Sequence, residues 1–290
     1  MPPGTTFHPG PGVSLSIDSL PYMVFLLLVE FTAGALVVTY VAQMRGLVPH
    51  GFVKMGAGTA LCGAALAVWI TTALGRPFDV GGYRLDETFL NPSRIALWSL
   101  LALLVLYTFV VWRERAPAAS IIGLAASAAA LVSLGLVAAI IRLPAWGYPG
   151  VVLSLLAGAL SLGSVTMGMV LGHWYLVSPR LPEQPLNEIT LALIVVLAVQ
   201  SALVLINLFI PVRQTPSAVL SGSGIIQDAA FWLRIGVGLV FPIALAVMAW
   251  RSSLVRGMMS ATGLLYVATG AVLAGEALAR GLQLATAIPF

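Results

Sequence analysis

Charge is what this 290-residue chain has least of. Asp, Glu, Lys and Arg make up 8% of it and hydrophobic residues 60%, whereas a soluble domain carries about 25% charged residues. It has one cysteine, Cys62, and three histidines, His8, His50 and His173. That inventory excludes an internal disulfide and a protein-ligated iron–sulfur cluster, and leaves no metal site to expect in this chain. Also missing are a Walker or dinucleotide-type glycine loop, HExxH, GxSxG and an Asp-rich pair for magnesium pyrophosphate, so the common phosphate, zinc and acyl-transfer chemistries have no foothold. No basic run exists either. The net charge of +4 comes from residues scattered over loops, which suit lipid headgroups and not nucleic acid.

What fills the chain is eight apolar stretches, at 21–44, 51–74, 95–112, 119–141, 150–177, 188–210, 230–250 and 257–282. About 20 apolar helical residues cross a hydrocarbon core of ~30 Å. The expectation is therefore an all-α polytopic membrane protein of eight transmembrane helices. A Pro/Gly-rich extended segment, 1–20, precedes a membrane domain over 21–290. The short hinge RLPAWGYP at 142–149 divides that domain into halves, 21–141 and 150–290, which suggests two four-helix bundles.

Orientation follows from the basic residues. None precedes the first span, so a cleavable signal peptide is not expected and the first helix is read as retained. The positive-inside rule then places both termini outside. Seven basic residues (Arg45, Lys54, Arg113, Arg115, Arg180, Arg251, Arg256) fall on inside connections. Five (Arg76, Arg84, Arg94, Arg142, Arg213) fall outside. The two longest connections, Arg76–Arg94 and Pro211–Ala229, are outside ones, so a docked partner is expected on that face.

Lipid offers no hydrophobic drive for helix association, so small residues mark close packing. Ser154 and Gly158, then Ser164, Gly168 and Gly172, are spaced four apart in the fifth span, which predicts a central, enclosed helix. Gly56 and Gly63 in the second span and Gly263 and Gly270 in the eighth are read the same way.

Ionisable residues inside spans cost ~2.5–3.5 kcal/mol at a helix centre and normally face the protein interior. Here they are Glu30, His173, Arg234, Glu276 and Arg280, with Gln200 and Asn207 adding uncharged polarity. Glu276 and Arg280 lie four apart and can pair directly, either as a self-neutralising pair or as the rim of a pocket to which Arg234 contributes. Glu30 has no basic residue four positions away, so it is either a structural carboxyl bonded to another span or a proton carrier. His173 sits in GMVLGHWYLV beside Trp174 and Tyr175, which read as an interfacial aromatic belt. A haem b held by His50 and His173 is geometrically conceivable but disfavoured, because His50 stands in a loop-like PHG context; a hydrogen-bonded interior histidine is the plainer reading.

The layout resembles the membrane-anchor subunits of the dimethyl sulfoxide reductase and polysulfide reductase family. LPYMVFLLLVEFTAGALVV resembles that family's first helix, LPAWGYPG its short hinge, FWLRIGVGLV the start of its seventh helix with Arg234 at the family's arginine, and VLAGEALARGL its last helix with Glu276 and Arg280. One departure stands out. Those anchors of dimethyl sulfoxide reductase carry a histidine near the outer end of the second helix, where TTALGRPF here has none.

The resemblance implies a quinone/quinol-interacting subunit of a respiratory oxidoreductase in a bacterial cytoplasmic (inner) membrane. It would be inactive alone and would exchange electrons with a ferredoxin-like iron–sulfur partner and, through it, a catalytic subunit. Menaquinone or ubiquinone would be the exchangeable substrate. The candidate quinone-binding residues are Arg234, Glu276, Arg280 and Arg76, and the candidate proton-relay residues are Glu30 and His173. The alternatives are a small-molecule or ion transporter, for which Pro242 is the interior proline able to interrupt a helix, and a structural subunit of a larger membrane complex.

Overall fold

The computed structural model describes residues 20–74, 79–80, 83–84, 86–141, 147–178, 180–209, 229–286 and 290. The extended N-terminal segment, Arg76, most of the hinge and most of the Pro211–Ala229 connection lie outside the described residues. Among the described residues eight helices long enough to span a membrane follow one another: α1 Leu20–Arg45, α2 His50–Ala73, α3 Leu90–Trp112, α4 Ala116–Ile141, α5 Gly147–Val177, α6 Gln184–Phe209, α7 Ala229–Leu254 and α8 Met258–Thr286. Each is long and apolar enough to span a membrane. Helices suit that solvent because every internal backbone N–H and C=O is satisfied within its own segment.

All but the last of these helices begin earlier than their apolar runs. Before α3, the Asp86 carboxylate accepts from the Thr88 backbone N–H at 3.0 Å and starts a 3₁₀ turn, Glu87–Phe89, that runs directly into the helix. Pro92, Pro149 and Pro185 all sit near helix starts, where a missing N–H costs nothing. A two-residue antiparallel ribbon pairs Asp79 with Arg84 and Val80 with Tyr83. It lies between α2 and α3, and its strands are too short to leave a periodic signature.

Eight crossings return the chain to the end where α1 began, so Tyr22 of α1 and Leu284 of α8 line one crevice. α1 packs against α2, α4, α5 and α8. Its crossing with α5 is made at backbone contact. A Cβ on Gly34 would stand 1.7 Å from the Ala159 carbonyl oxygen, and one on Gly163 would stand 2.2 Å from the Gly34 carbonyl carbon. This crossing joins the first half of the chain to the second through a shared core. Of the eight spans α5 is the most enclosed, with 72% of its apolar window buried, as its small-residue ladder predicts. The α8 ladder is a different matter. Gly263 and Gly270 are exposed with nothing near their missing side chains, and the backbone contact of that helix with α7 is made at Gly275.

α7 is continuous, with one π turn at Gly236–Val240 in which the Phe241 N–H donates to the Gly236 carbonyl. Pro242 follows at once. It has no N–H to donate, and the widened turn absorbs the irregularity without breaking the helix. The same turn carries Gly238 against Gly275 of α8, where either Cβ would come within 2.7 Å of the opposite Cα.

Candidate functional site

The close α7–α8 contact positions charge. Glu30 of α1, Arg234 of α7, and Glu276 and Arg280 of α8 are all 0% exposed. Arg234 Nη1 lies 3.5 Å from Glu276 Oε1, Arg280 Nη2 lies 3.5 Å from Glu276 Oε2, and the same Nη2 lies 3.2 Å from Glu30 Oε1. Two acids and two bases thus alternate along one chain of contacts. Formal charges cancel, which is the condition for keeping ions in a low-dielectric interior.

Uncharged groups finish the cage. Gln200 of α6 donates from Nε2 to Glu276 Oε1 at 2.7 Å and accepts from Arg234 Nη2 at 3.3 Å. Ser161 of α5 donates to Glu276 Oε1 at 3.1 Å. Arg280 donates to Ser154 Oγ at 3.1 Å, to the Ser154 carbonyl at 3.3 Å, to the backbone oxygen of Phe290 at 3.4 Å, and to Gln283 Oε1. Room for the acids comes from α5. A Cβ on Gly158 would lie 2.5 Å from Glu30 Oε1 and 2.9 Å from Glu276 Oε2.

The two acids are held differently. Glu276 is anchored by Gln200 and Ser161 as well as by both arginines. Glu30 is held by charge alone, since its contact with Arg280 lacks the alignment of a hydrogen bond and neither of its oxygens has a hydrogen-bond partner. A buried carboxylate fixed by attraction and not by directional bonds is the member of the set that can change partner or protonation without dismantling the others.

Beside the cage, toward the α1 N-terminus, lies a mostly apolar crevice of about 60 Å³ between α1, α2, α3, α4 and α8. Leu26 and Leu284 form part of its wall; each is one helical turn from a caged charge, Glu30 and Arg280 respectively. Its polar groups are Tyr22, Thr71, Ser93 and Arg94. Thr71 and Ser93 donate into their own helices, to Val68 and Leu90 carbonyls. Arg94 reaches the Thr71 carbonyl at 3.5 Å through one nitrogen, and its remaining N–H groups are available to a guest.

Four of the six sequence candidates therefore meet in one place, and His173 does not. His173 is exposed on α5, ~22 Å further along that helix than Gly158. Its neighbour Trp174 packs over Gly51, next to His50, so both histidines belong to the far end of the bundle. Arg76 lies outside the described residues. Among the described residues, no group of three or more His, Cys, Asp or Glu converges as a metal site. Arg94 escaped the sequence reading because it reads as one more loop charge. Ser154, Ser161 and Gln283 escaped because small or amide side chains in a membrane helix read first as packing; Gln200 was noticed without a partner.

Fold and cage together define a polytopic α-helical integral membrane protein organised around a buried, charge-balanced cluster. No protein-family model matches the chain, and a search of curated proteins finds no match either.

Proposed function

We propose that the chain is a quinone-interacting membrane subunit of a respiratory oxidoreductase complex. The supporting observation is a cluster of four buried charges, two of which, Glu30 and Arg280, lie one helical turn from residues lining an apolar crevice with polar donors. Four ionisable groups are expensive to insert, and ionisable residues within membrane spans mark substrate or proton paths by default. Quinone reduction or quinol oxidation moves two electrons and two protons. The headgroup needs a donor to its carbonyl oxygen, and it needs a group that accepts or supplies the proton.

In this reading the crevice admits the headgroup. Arg94 and the Tyr22 hydroxyl donate to the quinone carbonyl, and the apolar walls take the start of the isoprenoid tail. Glu30 is the proton-exchanging acid, because it is the one acid without directional bonds. Arg234, Glu276 and Arg280 hold its position and balance its charge and do not touch the headgroup. The crevice is narrow as it stands, so entry of a ring requires α1 and α3 to part. By the positive-inside argument the crevice end is the outside face, and the iron–sulfur partner would dock there. Electron transfer then needs only a short gap between headgroup and partner. The membrane would be a bacterial inner membrane.

The test is calorimetric titration of the purified chain with a short-tailed menaquinone analogue. Saturable binding is expected, weakened ~10- to 100-fold in Arg94→Gln, the range for losing one hydrogen bond to a charged group. Absence of saturable binding to the folded protein refutes the proposal. A purely structural role is the second reading, and one specific observation favours it: all four charged side chains are sealed at 0% exposure. Binding that is indifferent to Glu30→Gln in its pH dependence would select that reading for the cage. A transport path through Glu30 and His173 is not favoured, because Glu30 is sealed at 0% exposure among its partners while His173 faces outward from α5.

A further inference from the structure

A second crevice, of about 270 Å³, lies between α1, α5 and α6 at the end of the bundle away from the cage. Its walls include Val38, Val41, Leu160, Ile189 and Val196, and its mouth holds Arg45 and Glu188. These two form an ion pair at 3.2 Å, with side chains 57% and 38% exposed. Gln184 Nε2 also donates to Glu188, at 2.8 Å, and both bonds fall on Oε1, which leaves Oε2 open to a further donor. Arg45 uses one guanidinium nitrogen on Glu188 and keeps the others for an anion. From Arg45 to Val37 the groove follows α1 for ~12 Å into the span.

We infer that this crevice binds phosphatidylethanolamine, one acyl chain in the groove, its phosphate on Arg45 and its ammonium on Glu188. Hydrocarbon gains little by leaving lipid for an equally apolar groove, so any preference has to come from the headgroup. A mouth with one cation and one anion matches a headgroup with one of each. Phosphatidylglycerol would satisfy Arg45 but bring negative charge to Glu188 with nothing to offset it. Phosphatidylcholine has the right charges, but its quaternary ammonium has no N–H to give to Oε2. Neither the cage nor the quinone proposal enters this argument.

The experiment is native mass spectrometry of the full chain released from detergent, titrated with the three lipids bearing identical acyl chains. The ethanolamine lipid is expected to be retained about 5-fold or more over each of the others, a factor within reach of one exposed charge-assisted contact. Glu188→Gln should abolish discrimination between ethanolamine and choline headgroups while keeping phosphate-dependent binding. Arg45→Gln should weaken all three, and Ala192→Phe, which fills the groove, should do the same. Helix content and monodispersity guard against misfolding, and an exposed ion pair contributes little to stability. Equal retention of the three lipids, preference for phosphatidylglycerol, or an unchanged ratio in Glu188→Gln each overturns the proposal.

Discussion

Removing Arg280 should damage this protein more than removing Arg280 and Glu30 together. Arg280 lies 3.2 Å from Glu30 and 3.5 Å from Glu276. At an effective dielectric of about 20, each contact amounts to about 5 kcal/mol of Coulomb attraction before desolvation and arginine–arginine repulsion are set against it. Breaking a buried pair from one side leaves the other charge uncompensated, which costs ~3–5 kcal/mol. Arg280→Met leaves Glu30 with no cation in contact and takes the guanidinium donor from Ser154 and Gln283, so the upper half of that range is expected. Glu30→Leu combined with Arg280→Met withdraws one charge of each sign. The Arg234–Glu276 pair remains, still braced by Gln200 and Ser161. Replacing a complete buried pair by apolar groups is often neutral, so the double variant should lie within ~1–2 kcal/mol of the parent. The resulting coupling is at least ~2 kcal/mol. Equilibrium unfolding in mixed detergent and dodecyl sulfate micelles, followed by far-ultraviolet circular dichroism, measures Arg280→Met, Glu30→Leu and the double variant. If the two single substitutions and the double one are additive, the four charges do not act as a unit and the cage argument fails.

Two further outcomes follow from local geometry. Gly163→Ala should destabilise by ~3 kcal/mol or more, because the new methyl lands 2.2 Å from backbone carbon of Gly34 and the helices must separate; Gly270→Ala, facing open space, should be neutral or stabilising by up to ~1 kcal/mol, and thermal melts of both decide it. At the α3–α4 turn, Glu114 accepts from Lys54 Nζ at 2.8 Å. That hydrogen bond and charge, with a smaller effect from His50, hold its carboxyl below the usual glutamate range. A depressed acid contributes stability above its unfolded value and loses it as pH falls through its folded value. Lys54→Met should move the titration upward, read by ¹³C NMR of the labelled carboxyl, and an unmoved midpoint refutes the pairing.

Much of the architecture was legible along the chain. Eight apolar runs announced eight helices because membrane crossing is a one-dimensional requirement of length and hydropathy. Boundaries were less so. α3 starts at Leu90 where the run suggests residue 95, because Asp86 caps a polar lead-in that hydropathy discounts. The ionisable residues inside the spans were also conspicuous, since a charge in an apolar run has no neutral explanation. Their partnership was only half visible: the Glu276–Arg280 spacing shows on one helix, while the Glu30–Arg280 contact spans 250 positions of sequence. Small-residue spacing held in α2 and α5, where Gly56, Gly63, Gly158, Gly168 and Gly172 lie buried against neighbouring groups, and misled in α8. Gly163 and Gly275 sit at backbone contacts, whereas Gly263 and Gly270 face outward, and the pattern alone does not say which face of a helix is covered.

By itself, then, the sequence determined the solvent, the number of crossings and the few side chains too polar to face lipid, because each of these is set by local composition against a slab of known thickness. Only the tertiary structure decided that Glu30, Arg234, Glu276 and Arg280 neutralise one another, that Gly158 clears the space they occupy, and that Glu30 is the loosely held member. Those outcomes depend on how closely four separate helices approach. That closeness is governed by side chains that are absent, at Gly34, Gly163, Gly238 and Gly275, and no reading of one helix at a time can supply it.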